Sequence, residues 1–462
     1  MKSEICHRQD ALWRTEEAIL GPLFAALNSA GVHYAVMRNY ASLPFSLEGS
    51  DLDLIVTIDD KEKARRITLE TIRSAQGVCI GIAKSAGFFK IHAFGKSPEI
   101  AHPWWGVCLD FNCGLFFRGI QLINENAPWP LRIHNGIPVL SEGFSAVLGV
   151  LKEALNNEIV PTQYAGTARE AARDQWFEIE VLLAPMGSCA LARLRTMLLE
   201  DYTTVKMRQE CRGLWRDIKK NAFLRRGLRT YWDRMSYGLN KVRRYLFPSG
   251  LVIALLGVDG AGKTTLIDAI LPTLASATHN TVIIKHLRPF LLPPLARLKG
   301  GGNVNSKPVE DPHKAEPSGM CGSILRACYL TADYLLGYWF QTRPAISKVP
   351  AVILFDRYSY DMQIDPLRFR IGLPRTILSW FSAMTPKPHI IICLHGNPEL
   401  IAQRKGELTV MEIKRQMATL EEFAKREPRA VLVSTETSIE ETRDNVLGNL
   451  FEFSQRNAER LV

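Results

Sequence analysis

LVIALLGVDGAGKTTLIDAILPTL, residues 251–274, decides the reading of half the chain. Its first six residues are an unbroken apolar run of strand length. Its last ten have the spacing of a helix. Between them stands Gly257-x4-Gly262-Lys263-Thr264, which is a phosphate cradle when it joins a strand to a helix. The glycines let backbone N–H groups turn inward, and the helix N-terminus adds partial positive charge at the same point. Lys263 can reach the β- and γ-phosphates of a nucleoside triphosphate. The Thr264 hydroxyl can ligate Mg²⁺ bridging them, and ATP is the expected cofactor.

Working outward, the alternation of strand and helix continues to the C-terminus. TVIIKHL (281–287), AVILFD (351–356), HIIICLHG (389–396) and AVLVST (430–435) are apolar, β-branched runs. Strands buried on both faces of a parallel sheet have this composition, so residues 251–462 are expected to form an α/β P-loop domain. A polar stretch from about 290 to 320, with three consecutive glycines at 300–302, interrupts the rhythm and reads as a long loop.

The segment Val258-Asp259-Gly260-Ala261-Gly262-Lys263-Thr264-Thr265 resembles the phosphate loop of thymidylate kinases. Asp356-Arg357-Tyr358, at the end of a strand, is similar to that family's Asp-Arg-Tyr. The resemblance implies that Asp259 approaches the acceptor's sugar, that Asp356 supports Mg²⁺, and that Arg357 grips an acceptor phosphate. It also implies that Arg404 and Lys405 belong to a lid over the transferring phosphoryl group. Thr409-x-x-Glu412 reads as a capping box that opens the next helix. Two family features are altered. His286-Leu287-Arg288-Pro289 stands where the family has Arg-Glu-Pro-Gly, and Ala332-Asp333 is followed by Tyr334 instead of arginine. The ATP half of the site is therefore expected to be retained and the acceptor half rebuilt. Asp311-Pro-His313-Lys314 and Asp361-x3-Asp365-Pro-x-Arg368-x-Arg370 add polar density that could recognise a phosphate-bearing acceptor or simply be surface charge. The family also implies a homodimer.

Residues 1–140 mix short strands, HYAVM, DLDLIV, FFKIHAF, VCLDF and GIPVL, with helices over 11–30 and 60–74, and are expected to form an α+β domain. Asp51 and Asp53, two apart on a strand, point to one face. Asp110 on a later strand could complete a set of three carboxylates able to hold Mg²⁺. The arrangement resembles the nucleotidyltransferase fold of the DNA polymerase β type. That family starts a helix with Gly-Ser after its first strand; here Arg38-Asn39 stands there and Gly49-Ser50 directly precedes Asp51. The alternative is a regulatory module whose acids merely end a strand.

Residues 141–247 read as a helical, basic connector, with helices over 142–156 and 167–183. Between Lys206 and Arg244, thirteen Lys and Arg stand against three acids, and Trp215, Tyr231, Trp232, Tyr237 and Tyr245 interleave with them. Such a segment could lie on an anionic membrane surface, track nucleic acid, or be a solvated helix face. The net charge of +10 favours anionic partners without choosing among them. The nine cysteines form no Cys-x-x-Cys pair, which argues against a zinc or redox site. No run approaches the roughly 20 apolar residues of a membrane span, and the N-terminus lacks a signal-peptide core. A cytoplasmic location is the expectation. Function then divides three ways: a kinase acting on a nucleotide or another phosphorylated small molecule, a nucleotidyltransferase with a regulatory P-loop unit, or a scaffold on lipid or nucleic acid.

Overall fold

The computed structural model describes residues 15–85, 87–98, 103–293, 316–348, 351–405 and 408–461. Residues 311–314 of the polar loop, and the first residues of the helix expected over 11–30, lie outside them, as does the Lys405 side chain. The chain divides into two compact units, one of residues 1–77 and 82–243, the other of residues 78–81 and 244–462.

The first unit is built on a mixed sheet of seven strands. In chain order these are β1 (Tyr34–Val36), β2 (Leu52–Val56), β3 (Gly77–Ser85), β4 (Phe88–Lys96), β5 (Trp104–Cys113), β8 (Leu131–His134) and β9 (Ile137–Leu140). A separate two-stranded ribbon, β6 (Phe116–Phe117) and β7 (Ile120–Gln121), follows β5. The order across the large sheet is β3-β4-β5-β2-β1-β9-β8. Parallel pairing of β2 with β5 sets Asp53 opposite Asp110, and antiparallel pairing of β4 with β5 sets Lys90 opposite Asp110. Register alone therefore lines up an acid, an acid and a base across three strands.

Helices Glu142–Asn157, Thr162–Asp174, Trp176–Leu182, Ser188–Leu199 and Thr204–Arg226 follow. The single helix expected over 167–183 is two, broken where Gln175 leaves helical geometry at φ −124° and ψ 22°. Val147, Leu151, Leu194, Leu214 and Ile218 from these helices join Ala35 and Ile55 from β1 and β2 in one apolar cluster. The texture of the sequence suggests parts at 1–140 and 141–247, yet the two share a core. Periodicity reports the kind of element, not which elements bury their faces together.

The second unit carries a parallel sheet of five strands, β10 (Leu251–Leu256), β11 (Val282–His286), β12 (Val352–Asp356), β13 (Ile390–His395) and β14 (Ala430–Ser434), in the order β11-β12-β10-β13-β14. All six residues of β10 are buried, as expected for a central strand. Gly250 lets the chain enter β10 close to its neighbours, because a Cβ there would lie 2.5 Å from the Ala351 carbonyl oxygen. Tyr334, Tyr358, Tyr360 and Phe423 close the core on one face. Among the described residues no helix is long and apolar enough to cross a membrane.

Candidate functional site

Parallel strands collect their chain reversals at one edge, and a crevice forms outside their carboxyl ends. Here that crevice is a cavity of 670 Å³. The loop after β10 supplies Asp259 to Gly262, β11 ends in it with His286, β12 ends in it with Asp356, and Thr435 follows β14 into it. Arg357, Arg368 and Arg404 line the same cavity.

Gly260 and Gly262 lie at φ +87° and +85°, a region open to glycine and strained for other residues. The turn they make delivers Lys263 as the first residue of the helix Lys263–Thr278. Lys263 is buried, and its Nζ donates to the carbonyl oxygens of Gly257 and Val258, at 2.9 Å each. These bonds hold the ammonium against the loop. Thr264 and Thr265 are exposed at the helix start and line the cavity.

Asp356 sits between two partners in register, Leu255 on β10 and His286 on β11. Its Oδ2 is 3.1 Å from His286 Nδ1, while its buried Oδ1 has no hydrogen-bond partner among the described residues. A buried carboxylate oxygen left unpartnered is costly, and this one lies beside the exposed Thr264 hydroxyl's cavity. Both donors are hard oxygens of the kind Mg²⁺ takes, so the residues fit that ion.

Three of the cations of the site are arranged around one acid. Arg357 and Arg368 each pair with a different oxygen of Asp259, and Lys263 Nζ lies 3.9 Å from it. Arg357 also reaches Asp361 at 3.4 Å, and Arg368 reaches Asp365 at 3.3 Å. Arg357 holds this position from a backbone at φ +76°, a sparsely populated region for a residue with a side chain, and its N–H donates to Leu255 O at 2.9 Å. Asp361 is fully buried. Burial pushes its carboxyl up to about 6, against the pull of Arg357 and Lys263. Arg404 stands exposed on the helix Pro398–Lys405.

Of the two altered motifs, His286 and Leu287 line the cavity, whereas Arg288, Asp333 and Tyr334 have a structural role outside its lining. Arg288 pairs with fully buried Asp333 at 3.0 Å, and Asp333 also accepts from the N–H groups of Phe290 and Leu292. The Tyr334 hydroxyl donates to Leu287 O. Together they pin the turn that follows β11. Thr409 caps the helix Val410–Arg426 by accepting from Glu412 N. His286, Arg368 and Thr435 belong to the cavity. His286 opens the altered stretch 286–289 and Arg368 falls in the polar stretch 361–370 that the sequence singles out, whereas Thr435 is legible only through the rule that strand ends converge there.

In the first unit, Asp51, Asp53 and Asp110 do come together, with one oxygen of each within 4.8 Å of the others. They are not alone. Lys90 Nζ lies 3.2 Å from Asp51 and 3.2 Å from Asp110, and Arg38 pairs with Asp53 and stands 3.6 Å from Asp51. Burial would lower the Lys90 ammonium's affinity for its proton, but the charges of Asp110 and Asp51 help hold it above its ordinary value. Burial raises Asp110. Two protein cations thus supply the charge that a divalent ion would bring. Arg38, at the place where the nucleotidyltransferase pattern has its Gly-Ser helix start, is one of them.

No protein-family model matches the sequence, and no curated protein matches it. Among solved structures, this chain is similar to the thymidylate kinase of Ehrlichia chaffeensis over 44% of its own length and all of that chain, at 13% identity and a TM-score of 0.32. A likeness of that size carries no argument about function.

Proposed function

We propose that the unit of residues 244–462 is an ATP-dependent kinase. It would transfer the γ-phosphoryl group of Mg·ATP to a nucleotide, thymidine monophosphate or a related phosphorylated small molecule. The observation that carries this reading is one cavity containing both a phosphate cradle at a helix N-terminus and three arginines from separate segments. A site that only bound and hydrolysed ATP would have little use for Arg357 and Arg368 on the side facing Asp259.

Lys263 and the loop N–H groups hold the phosphate chain and offset its charge. Thr264 and Asp356 are the residues that would hold Mg²⁺, which when bound would offset the charge of the phosphates. Arg404, exposed and on a short helix, can swing onto the moving phosphoryl group, whose equatorial oxygens carry the developing charge. Arg357 and Arg368 are pre-aimed by Asp259. An acceptor phosphate would compete with that carboxylate for them, trading one oxyanion for another at little cost in reorganisation. Catalysis on this reading is positioning and charge neutralisation.

The test is ADP formation by the purified chain with Mg·ATP, alone and with thymidine monophosphate or other phosphorylated metabolites. An acceptor that stimulates ADP release and gains a phosphate supports the proposal. A chain that binds ATP yet phosphorylates none of them contradicts it.

The first unit supports nucleotidyl transfer less well, because Arg38 and Lys90 would have to leave its carboxylates first. Pyrophosphate release that is lost in Asp51→Asn and kept in Lys263→Ala would reverse that judgement.

A further inference from the structure

The helix Arg229–Leu246 buries almost nothing on one side. Thr230 is its only buried residue, and its hydroxyl donates to Ala222 O. Leu228, just before it, and Tyr231, Trp232, Met235, Leu239 and Val242 along it are 47–73% exposed. At 100° per residue these six fall within a sector of about 100°. The only acid on the helix, Asp233, lies off that sector and pairs with Arg226. Arg229 and Arg243 flank the stripe on one side, and Arg234 and Lys241 on the other, all exposed. Trp215, by contrast, packs edge-on against Phe117 and lies, partly buried, against the core of the unit.

We infer that this face docks on an anionic membrane surface, lying in the interface plane. Three features converge. The helix has a wide apolar stripe yet low overall hydrophobicity, the combination that lies on a bilayer rather than crossing it. Trp232 and Tyr231 suit the headgroup level, with an apolar body and a polar tip. Cations on both flanks, with no acid between them, complement anionic headgroups. A second copy of the chain fits worse, because pairing two such stripes would bring arginine flank against arginine flank. Nucleic acid would match the flanks but leave six apolar side chains in water.

Vesicle co-sedimentation of the full chain tests the inference, with phosphatidylcholine alone or with about 30% phosphatidylglycerol. Binding is expected to the anionic vesicles and to weaken as salt rises. Each CH₂ withdrawn from water is worth a factor of about four in partitioning, so Leu239→Glu should weaken binding by tenfold or more. Its side chain is exposed, so the thermal midpoint should not move. As an independent readout, brominated acyl chains should quench the wild type more than Trp232→Phe. Equal binding to neutral vesicles, or binding unchanged by Leu239→Glu with no change in quenching for Trp232→Phe, overturns the inference. So does a dimer that Leu239→Glu dissociates without any lipid binding, or tight duplex nucleic-acid binding that the substitution leaves intact.

Discussion

Asp259→Ala is the most informative single change in the cavity. Asp259 is the shared partner of Arg357 and Arg368, and Lys263 approaches it as well. Each of the two arginine bonds is charge-assisted, a class worth about 1.5–3 kcal/mol. Each arginine keeps one other carboxylate, Asp361 for Arg357 and Asp365 for Arg368. Part of the loss is therefore recovered, and a net cost of about 3 kcal/mol is expected. For a unit of this size that lowers the thermal midpoint by roughly 6–12 °C. The two guanidiniums would then be open to an oxyanion. Sulfate or phosphate at tenfold its dissociation constant should return about 1.4 kcal/mol to the variant and much less to the wild type, where Asp259 competes. The assay is thermal unfolding of both proteins over a series of sulfate concentrations, with chloride holding ionic strength constant. A variant no less stable than the wild type, or one that sulfate does not favour, would refute the claim that Asp259 keeps the arginines poised for an acceptor phosphate.

Other outcomes follow from the same geometry. Arg404→Ala should lower kcat by roughly 10²-fold with little change in stability, since the side chain is exposed; steady-state kinetics and a melting curve separate the two. Burial and Arg429 hold the His389 imidazole down to about 4, and its Nδ1 accepts from Val252 N–H at 2.8 Å. The unfolded chain takes up that proton below pH 6.5 and the folded chain does not, so this stability is present above pH 6.5 and lost as pH falls toward 4. Between pH 7.5 and 5 the wild type should lose about 2 kcal/mol more than His389→Gln in urea unfolding. Asp361 titrates in the same window with the opposite sign, but equally in both proteins, and cancels in the difference. In the first unit, Lys90→Met leaves three facing carboxylates less compensated. Its stability at pH 7.5 should fall by about 2 kcal/mol or more and recover with millimolar Mn²⁺; no recovery would mean the carboxylates cannot take a metal even when the ammonium is gone.

Much of the second unit is legible in residues 251–274 and in four apolar runs, because a buried parallel strand has a distinctive composition and a phosphate loop has fixed spacing. The cavity's cations are harder to read. Arg368 sits twelve residues beyond Asp356, in the short 3-10 helix Pro366–Phe369, and only the folded chain shows that it meets Asp259. Arg288 and Asp333 fall in altered motifs, and the sequence cannot tell that they pair with each other away from the cavity. In the first unit, period-2 spacing places Asp51 and Asp53 on one face. Lys90 enters their company through cross-strand register, which depends on how β4 meets β5. The strand β3 is not legible in the sequence, since Gly77, Gly81 and the apolar residues between them lack the alternation of a half-buried strand.

The central claim is phosphoryl transfer at the cradle, and label transfer from γ-labelled ATP tests it most directly. Wild type and Lys263→Ala would be compared with each phosphorylated acceptor, with folding of both checked by their melting curves. The account predicts a labelled product from the wild type and a loss of roughly 10²–10³-fold or more in the variant, which stays folded. Equal transfer by a folded Lys263→Ala, or no labelled product from a wild type that binds ATP, would contradict it.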